Sequence, residues 1–159
     1  MFGFRSGKLK KDDLKGIAAL MYQDVSKNSW DRENLTKRNL DFSVESVRII
    51  DKYAERLMKS QYDTDLLNTY FDNFVTRLGA YIGEVIRRDI NQDFYWYESD
   101  SVERHSANDV VRNEIQTVLY SKKRDTVIDP LTILKQFLRG NSSYSSLIHY
   151  AEETIKRYS

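Results

Sequence analysis

Apolar positions recur at three- and four-residue spacing over most of this chain and give way to alternation in its middle third. Leu14, Ile17, Ala18, Met21 and Val25 form one face of an amphipathic helix expected from Asp12 to about Lys27, with Asn28 as its end. Ser29 to Leu40 is polar apart from Trp30 and Leu35 and reads as a connection holding at most a short turn of helix. Ser43 supplies the cap of a second helix, whose stripe is Val44, Val47, Ile50, Ala54, Leu57 and Met58. After Ser60-Gln61-Tyr62-Asp63, a third helix is expected from Thr64. Its stripe of Leu67, Tyr70, Phe71, Phe74, Val75, Leu78, Tyr81, Ile82, Val85 and Ile86 is wide, which places this helix at the centre of the molecule.

The run DFYWYES from Asp93 holds four consecutive aromatics and fits a pleated strand. Glu114 to Tyr120 alternates Ile115, Thr117 and Leu119, and Ser121 to Arg124 can turn it into a short strand at Thr126 to Ile128. A helix over Asn108 to Tyr120 competes, because Val110, Val111, Ile115, Val118 and Leu119 also match a helical period. Asp129 as cap, Pro130 at the first helical position and Gly140 past the last turn frame a short helix with Leu131, Ile133, Leu134, Phe137 and Leu138. A final helix carries Tyr144, Leu147, Ile148, Ala151, Ile155 and Tyr158. This order predicts a single α+β domain, about five helices packed around a small antiparallel sheet. Residues 1–40 are expected to dock less tightly than the rest.

The central helix contains RLGAYIGEVIRR, and each of its glycines, Gly79 and Gly83, costs a helix roughly 1 kcal/mol relative to alanine. Four residues apart, they stack on one face with Ala80 beside them, a smooth strip that a backbone or a large ring can approach closely. The expected neighbour is Phe94 or Trp96. The alternative is that the strip floors a pocket with Glu84, Arg87 and Arg88 at its edge. Glu84 and Arg88 stand i,i+4, the spacing of a surface ion pair worth a few tenths of a kcal/mol.

Composition narrows the function classes. Of 159 residues 40% are apolar and 13% aromatic, enough for one core. The 25 Lys and Arg against 24 Asp and Glu leave a net charge of +1, so no global field favours a polyanion and nucleic-acid binding is disfavoured. The short basic clusters Lys8-Leu9-Lys10-Lys11, Arg87-Arg88 and Lys122-Lys123-Arg124 read as solvated faces. The absence of cysteine excludes disulfides, thiolate metal sites and thiol nucleophiles, and it fits a cytoplasmic protein. Gly3, Arg5, Gly7 and several lysines interrupt the amino-terminal stretch, so no signal peptide is expected. No window approaches the roughly 18 apolar residues of a membrane span.

Catalytic signatures are equally sparse. No G-x-S-x-G elbow, G-x-x-x-x-G-K-[ST] loop or G-x-G-x-x-G turn occurs, and two histidines leave a triad little to draw on. His105 lies in ESDSVERHSANDVV beside Glu98, Asp100, Glu103 and Asp109, a spacing that matches no metal-ligand pattern and reads as a solvated loop. His149 reads as a surface or boundary residue. No metal, cofactor or catalytic residue is expected. Eleven tyrosines are many for this length. A strand that buries Phe94 and Trp96 turns Tyr95 and Tyr97 outward, where tyrosine offers rigid area with a wet tip suited to a protein interface.

LDFSVESVRIIDKYAERL, then RLGAYIGEVIRR, then the Trp96 strand, then DPLTILKQFLRGNSSYSSLIHYAE resembles a group of small bacterial and phage domains of unknown function. In that group a GAY-x-GEV helix precedes a tryptophan strand and a P-x-x-x-x-K-x-x-x-x-G helix lies near the end. The similarity runs from about Leu40 to Glu152. It implies an α+β fold and brings no activity or site residues. The expected function is a non-enzymatic protein-binding module, an inhibitor or immunity-type protein acting on a cytosolic partner through Tyr95, Tyr97, Arg87, Arg88 and Glu84. The alternative is a small hydrolase or nucleotide-processing enzyme in which Glu84, His105 and Asp109 converge in one pocket.

Overall fold

The wide stripe after Tyr70 dictates the architecture, because a helix apolar on several faces has to be covered on all of them. The computed structural model describes residues 8–106 and 116–159, and in it the helix α5 (Phe71–Ile90) is buried at every residue from Leu78 to Ile86. Around it pack α1 (Lys15–Gln23), α7 (Pro130–Leu138) and α8 (Leu147–Tyr158), with α3 (Val47–Lys59) against α8 and α4 (Gln61–Thr69) against α3 and α5. The short helix α2 (Ser29–Asn34) and α6 (Ser99–His105) complete eight helices among the described residues. The strands β1 (Phe94–Glu98), β2 (Thr117–Ser121) and β3 (Thr126–Ile128) form one antiparallel sheet in that order. Trp96 pairs with Leu119 and Leu119 with Ile128, and Phe94, Trp96, Leu119 and Ile128 all belong to the main core. Residues 10–12 run along the free edge of β1: the Glu98 amide donates to the Lys10 carbonyl (2.8 Å) and the Asp12 amide to the Trp96 carbonyl (3.3 Å).

Two close approaches hold α5 in this position. A Cβ built on Gly83 would overlap Trp96 Cη2, stand 2.5 Å from its Cζ2 and 3.2 Å from Pro130 Cγ. At Gly79 it would meet Leu131 Cδ1 at 2.8 Å and Leu131 Cα at 3.3 Å. The glycine strip is therefore filled by the tryptophan of β1 at one end and by the first turn of α7 at the other. It floors no pocket.

Side chains supply the orphan amides at several helix starts. Asn28 accepts from the Trp30 and Asp31 amides, Ser60 from Asp63, Asp129 from Thr132 and Ser146 from His149. Asp51 in the middle of α3 accepts from the Leu147 (2.6 Å) and Ile148 (3.0 Å) amides, so it caps α8 and ties two helices together. Burial raises the Asp51 pKa despite those amide bonds.

The α+β class stands, with eight helices among the described residues where about five were expected. The additional three are α2, α4 and α6. The expected third helix is two, broken at Tyr70, which is 52% exposed and turns with φ −116°. The break lets α4 lie on α3 while α5 passes through the centre. Asn28 opens α2 and does not close α1. Ser43 accepts from the Ser46 amide in a turn just before α3. The hairpin over β2 and β3 replaces the competing helix from Thr117 to Tyr120; positions 107–115 lie outside the described residues. Within the first forty residues Leu14, Ala18, Met21, Leu35 and Leu40 are buried in the main core. Among the described residues no helix is long and apolar enough to cross a membrane.

Replacing Gly83 with alanine will destabilise the protein by about 1–3 kcal/mol through overpacking, although the helix itself gains up to ~1 kcal/mol of propensity. Gly16 in α1, with nothing within 4 Å of an added Cβ, will do the opposite when replaced by alanine. Urea denaturation of the two variants tests the contrast. Asp51 has a folded pKa above its unfolded value, so its contribution to stability is full below about pH 3.8 and is lost as pH rises through the raised value. An Asp51→Asn variant will accordingly show a less negative slope of unfolding free energy against pH in that window, measured by denaturant midpoints from pH 3.5 to 7.

Candidate interaction surface

The last two turns of α5 place Glu84, Arg87 and Arg88 where β1 crosses the helix, and a left-handed Asn91 (φ 53°) turns the chain back into that strand. Glu84 is fully buried. Its Oε2 accepts from Arg87 Nε (2.7 Å) and from the Trp96 indole Nε1 (2.9 Å), and its Oε1 accepts from Arg87 Nη2 (3.1 Å). The Arg88 Nε stands 3.7 Å from Oε1, an ion pair without a hydrogen bond. The surface pair expected between Glu84 and Arg88 is thus a buried carboxylate clamped bidentately by Arg87 one residue earlier. The indole leads it inward: Trp96 lies over Gly83, and its N–H needs an acceptor at that depth. Both oxygens of Glu84 thus accept from groups within the protein. The hydrogen bond to Glu84 is the main cause that raises the Arg87 pKa, with Asp13 and Tyr95 contributing.

The guanidinium of Arg88 lies 3.8 Å above the Phe42 ring, which stacks on Tyr81 at 4.7 Å. Phe42 has a positive φ of 64°, held by its amide donating to the Tyr81 hydroxyl (3.0 Å). Both arginines are therefore fixed from below while their side chains remain 24% and 39% exposed. Tyr95 on the far side of β1 is 48% exposed, and the Lys11 ammonium sits 5.6 Å from its ring centroid. The result is a half-exposed ring with one cation placed on it.

Tyr97 is a correction. It does point away from the main core, as alternation requires, but it is only 4% exposed. It joins Val102, Val118 and Tyr120 in a second cluster under α6, with Leu9 against it. The stretch expected to be a solvated loop starts with this helix, whose Ser99, Ser101 and Val102 are buried. Its polar sequence hid it, because serines carry the buried face: Ser101 Oγ donates to the Glu98 carbonyl (2.7 Å) and Ser99 Oγ accepts from the Gln116 amide (3.0 Å).

Glu84 and His105, two of the members proposed for a carboxylate and histidine pocket, are not brought together. Glu84 belongs to the main-core side of the sheet through Trp96, whereas His105 packs edge-on against Tyr120 in the second cluster, and Asp109 lies outside the described residues. His149 is exposed, 3.4 Å from Glu153. Among the described residues no group of His, Asp and Glu is arranged to hold a metal ion.

Sequence reasoning also missed a polar cluster between α2, α3 and α4. Asp31 is 1% exposed, pairs bidentately with Arg56 and accepts from Ser26 Oγ (2.5 Å). The Arg56 guanidinium lies 5.5 Å from the Trp30 centroid and 5.3 Å from that of Tyr53. The stacking of Trp30 and Arg56 joins positions far apart in sequence, and no local spacing signals it. No protein-family model, curated protein or solved structure matches this chain.

Loss of Glu84 leaves a buried indole N–H and an unpaired Arg87. Glu84→Ala will cost about 2–4 kcal/mol, somewhat less than the ~3–5 kcal/mol of breaking a fully buried pair, because Arg87 remains partly in water. Thermal and denaturant unfolding measure the loss, and a Trp96→Phe background will reduce it.

Proposed function

We propose that the chain is a non-enzymatic protein-binding module, an inhibitor or immunity-type protein that occludes a partner in the cytoplasm. The observation that supports this reading is the half-exposed ring of Tyr95 with Lys11 above it, together with Arg87 and Arg88, which Glu84 and Phe42 fix at the end of α5 just before β1. Arginines held in place before binding lose little side-chain entropy on contact, and an exposed tyrosine ring offers rigid contact area, both properties of an interface anchor. The surplus of cations over Glu84 favours acidic groups on the partner. Tyr97 and Glu84, included in the surface on sequence grounds, act beneath it as supports. The even charge balance of the whole chain disfavours nucleic acid as the partner.

The test compares Tyr95→Ser with Tyr97→Ser in affinity capture from cytosol of the native host. Tyr95→Ser will lose the specific partner and keep its melting temperature. Tyr97→Ser will instead lower the melting temperature, since it hollows the second cluster. Capture undiminished by Tyr95→Ser would remove this surface from the interface.

A further inference from the structure

On the opposite flank of α5, its amino-terminal half is less completely covered than its carboxy-terminal half. Two contiguous cavities of about 230 and 510 Å³ lie there between the segment joining α1 to α2 and helices α3, α4 and α5. Met21, Leu35, Phe74 and the ring of Tyr53 make the smaller one apolar, and the two rings form a tilted wall with centroids 6.5 Å apart. Since a dry cavity of about 150 Å³ holds a benzene ring, this volume admits one ring with a short tail.

The polar groups at the mouth are unequal. Three carboxylates, Asp24, Asp31 and Asp63, and three cations, Lys27, Arg56 and Arg77, line the larger cavity. Asp31 and Arg56 are closed on each other, and Asp63 accepts from Ser60 Oγ (2.6 Å). Arg77 alone has an exchangeable partner: its Nη2 donates to Asp24 Oδ2 (2.6 Å), and the Asp24 side chain is 65% exposed. An exposed pair of this kind contributes little net energy, so an incoming carboxylate displaces Asp24 into water at small cost. Among the described residues the Tyr53 hydroxyl makes no hydrogen bond. Burial, then Asp31, pushes its pKa up to about 12, which keeps it a donor at neutral pH. The fixed charges of Asp31 and Asp63 oppose a dianion, so phosphate monoesters fit poorly.

We propose that this cleft binds a small aryl carboxylate, its ring against Tyr53 and Phe74 and its carboxylate on Arg77 in place of Asp24. The site shares no residue with the Tyr95 surface and goes beyond the protein-binding reading. Trp30 reports on it, because its ring stacks parallel to Tyr53 at 6.4 Å.

The probe is 3-phenylpropionate, titrated into the whole chain by calorimetry and by tryptophan emission, with 3-phenylpropionamide as the uncharged control. Saturable one-to-one binding is expected, weaker by at least about tenfold for the amide and for the Arg77→Met variant, since a charge-assisted contact is lost in each. Asp24→Asn frees Arg77 and will tighten binding, which keeps the test decisive if Arg77→Met folds poorly. Tyr95→Ser will leave the titration unchanged, so failure of the protein interface and failure of this site are told apart. The proposal is overturned by the absence of saturable binding, by equal affinity for acid and amide, or by weaker binding to Asp24→Asn.

Discussion

The seating of the Trp96 indole on Gly83 is the contact on which the remainder of the molecule depends. It brings β1 to the axis of α5 at a distance that no other residue at position 83 permits, and it sets the depth at which the indole N–H must find an acceptor. Glu84, the next residue on the helix, meets that need and is thereby drawn out of water with Arg87. A roughly 1 kcal/mol loss of helix propensity per glycine is set against a large ring buried on α5 and a satisfied ion pair. The same strip receives Leu131 at Gly79, so the sheet and the first turn of α7 are positioned by one helix face. Pro130 Cγ stands 3.2 Å from where a Cβ on Gly83 would lie. Its fixed backbone angle starts α7 where the cap Asp129 places it.

Periodicity revealed the parts of this arrangement that are apolar and local. The stripe of α5, the aromatic strand and the Asp129-Pro130 start of α7 follow from spacing and turn chemistry alone, and the hairpin is one of two readings that spacing leaves open. The parts that escaped are those in which polar side chains do the packing. Helix α6 was hidden because serines line its inner face, and a serine that donates to a carbonyl within the same segment looks, in sequence, like loop chemistry. Tyr97 obeyed the alternation of a strand, yet alternation says only which face a side chain takes, and what covers that face comes from the residues after it. For Glu84, i,i+4 spacing pointed to Arg88, whereas the depth set by Trp96 selects Arg87 at i+3.

Carboxylates are the recurrent device for joining elements distant in sequence. Asp51 in α3 caps α8, Asp31 in α2 grips Arg56 in α3, Asp129 accepts from Gln116 (2.8 Å) beside β2, and Asp93 accepts from Ser121 Oγ (2.7 Å) across the sheet. In each case at least one partner is a backbone amide or a neutral side chain, or the pair is partly wetted, so the charge is satisfied without a second ion being fully buried. Burial nonetheless raises Asp51 and Asp129 above the ordinary carboxylate range. For Asp93 the serine bond has the larger effect, and its pKa is lowered.

The two flanks of α5 differ in how their charges are committed, and that difference separates support from recognition. At the carboxy-terminal end Glu84 is saturated by three donors, so the arginines it holds are fixed but turned outward, a surface that can only be met by another molecule's acceptors. At the amino-terminal end Arg77 pairs with an exposed Asp24 beside an apolar cavity, so the ligand site proposed there rests on an exchange of carboxylates at one guanidinium. A carboxylate held by three donors braces a surface, whereas an arginine whose partner is exposed can exchange it. Both properties follow from the same helix, because the glycines that admit Trp96 close its second half, while the Tyr70 turn that sends α4 onto α3 leaves its first half partly uncovered.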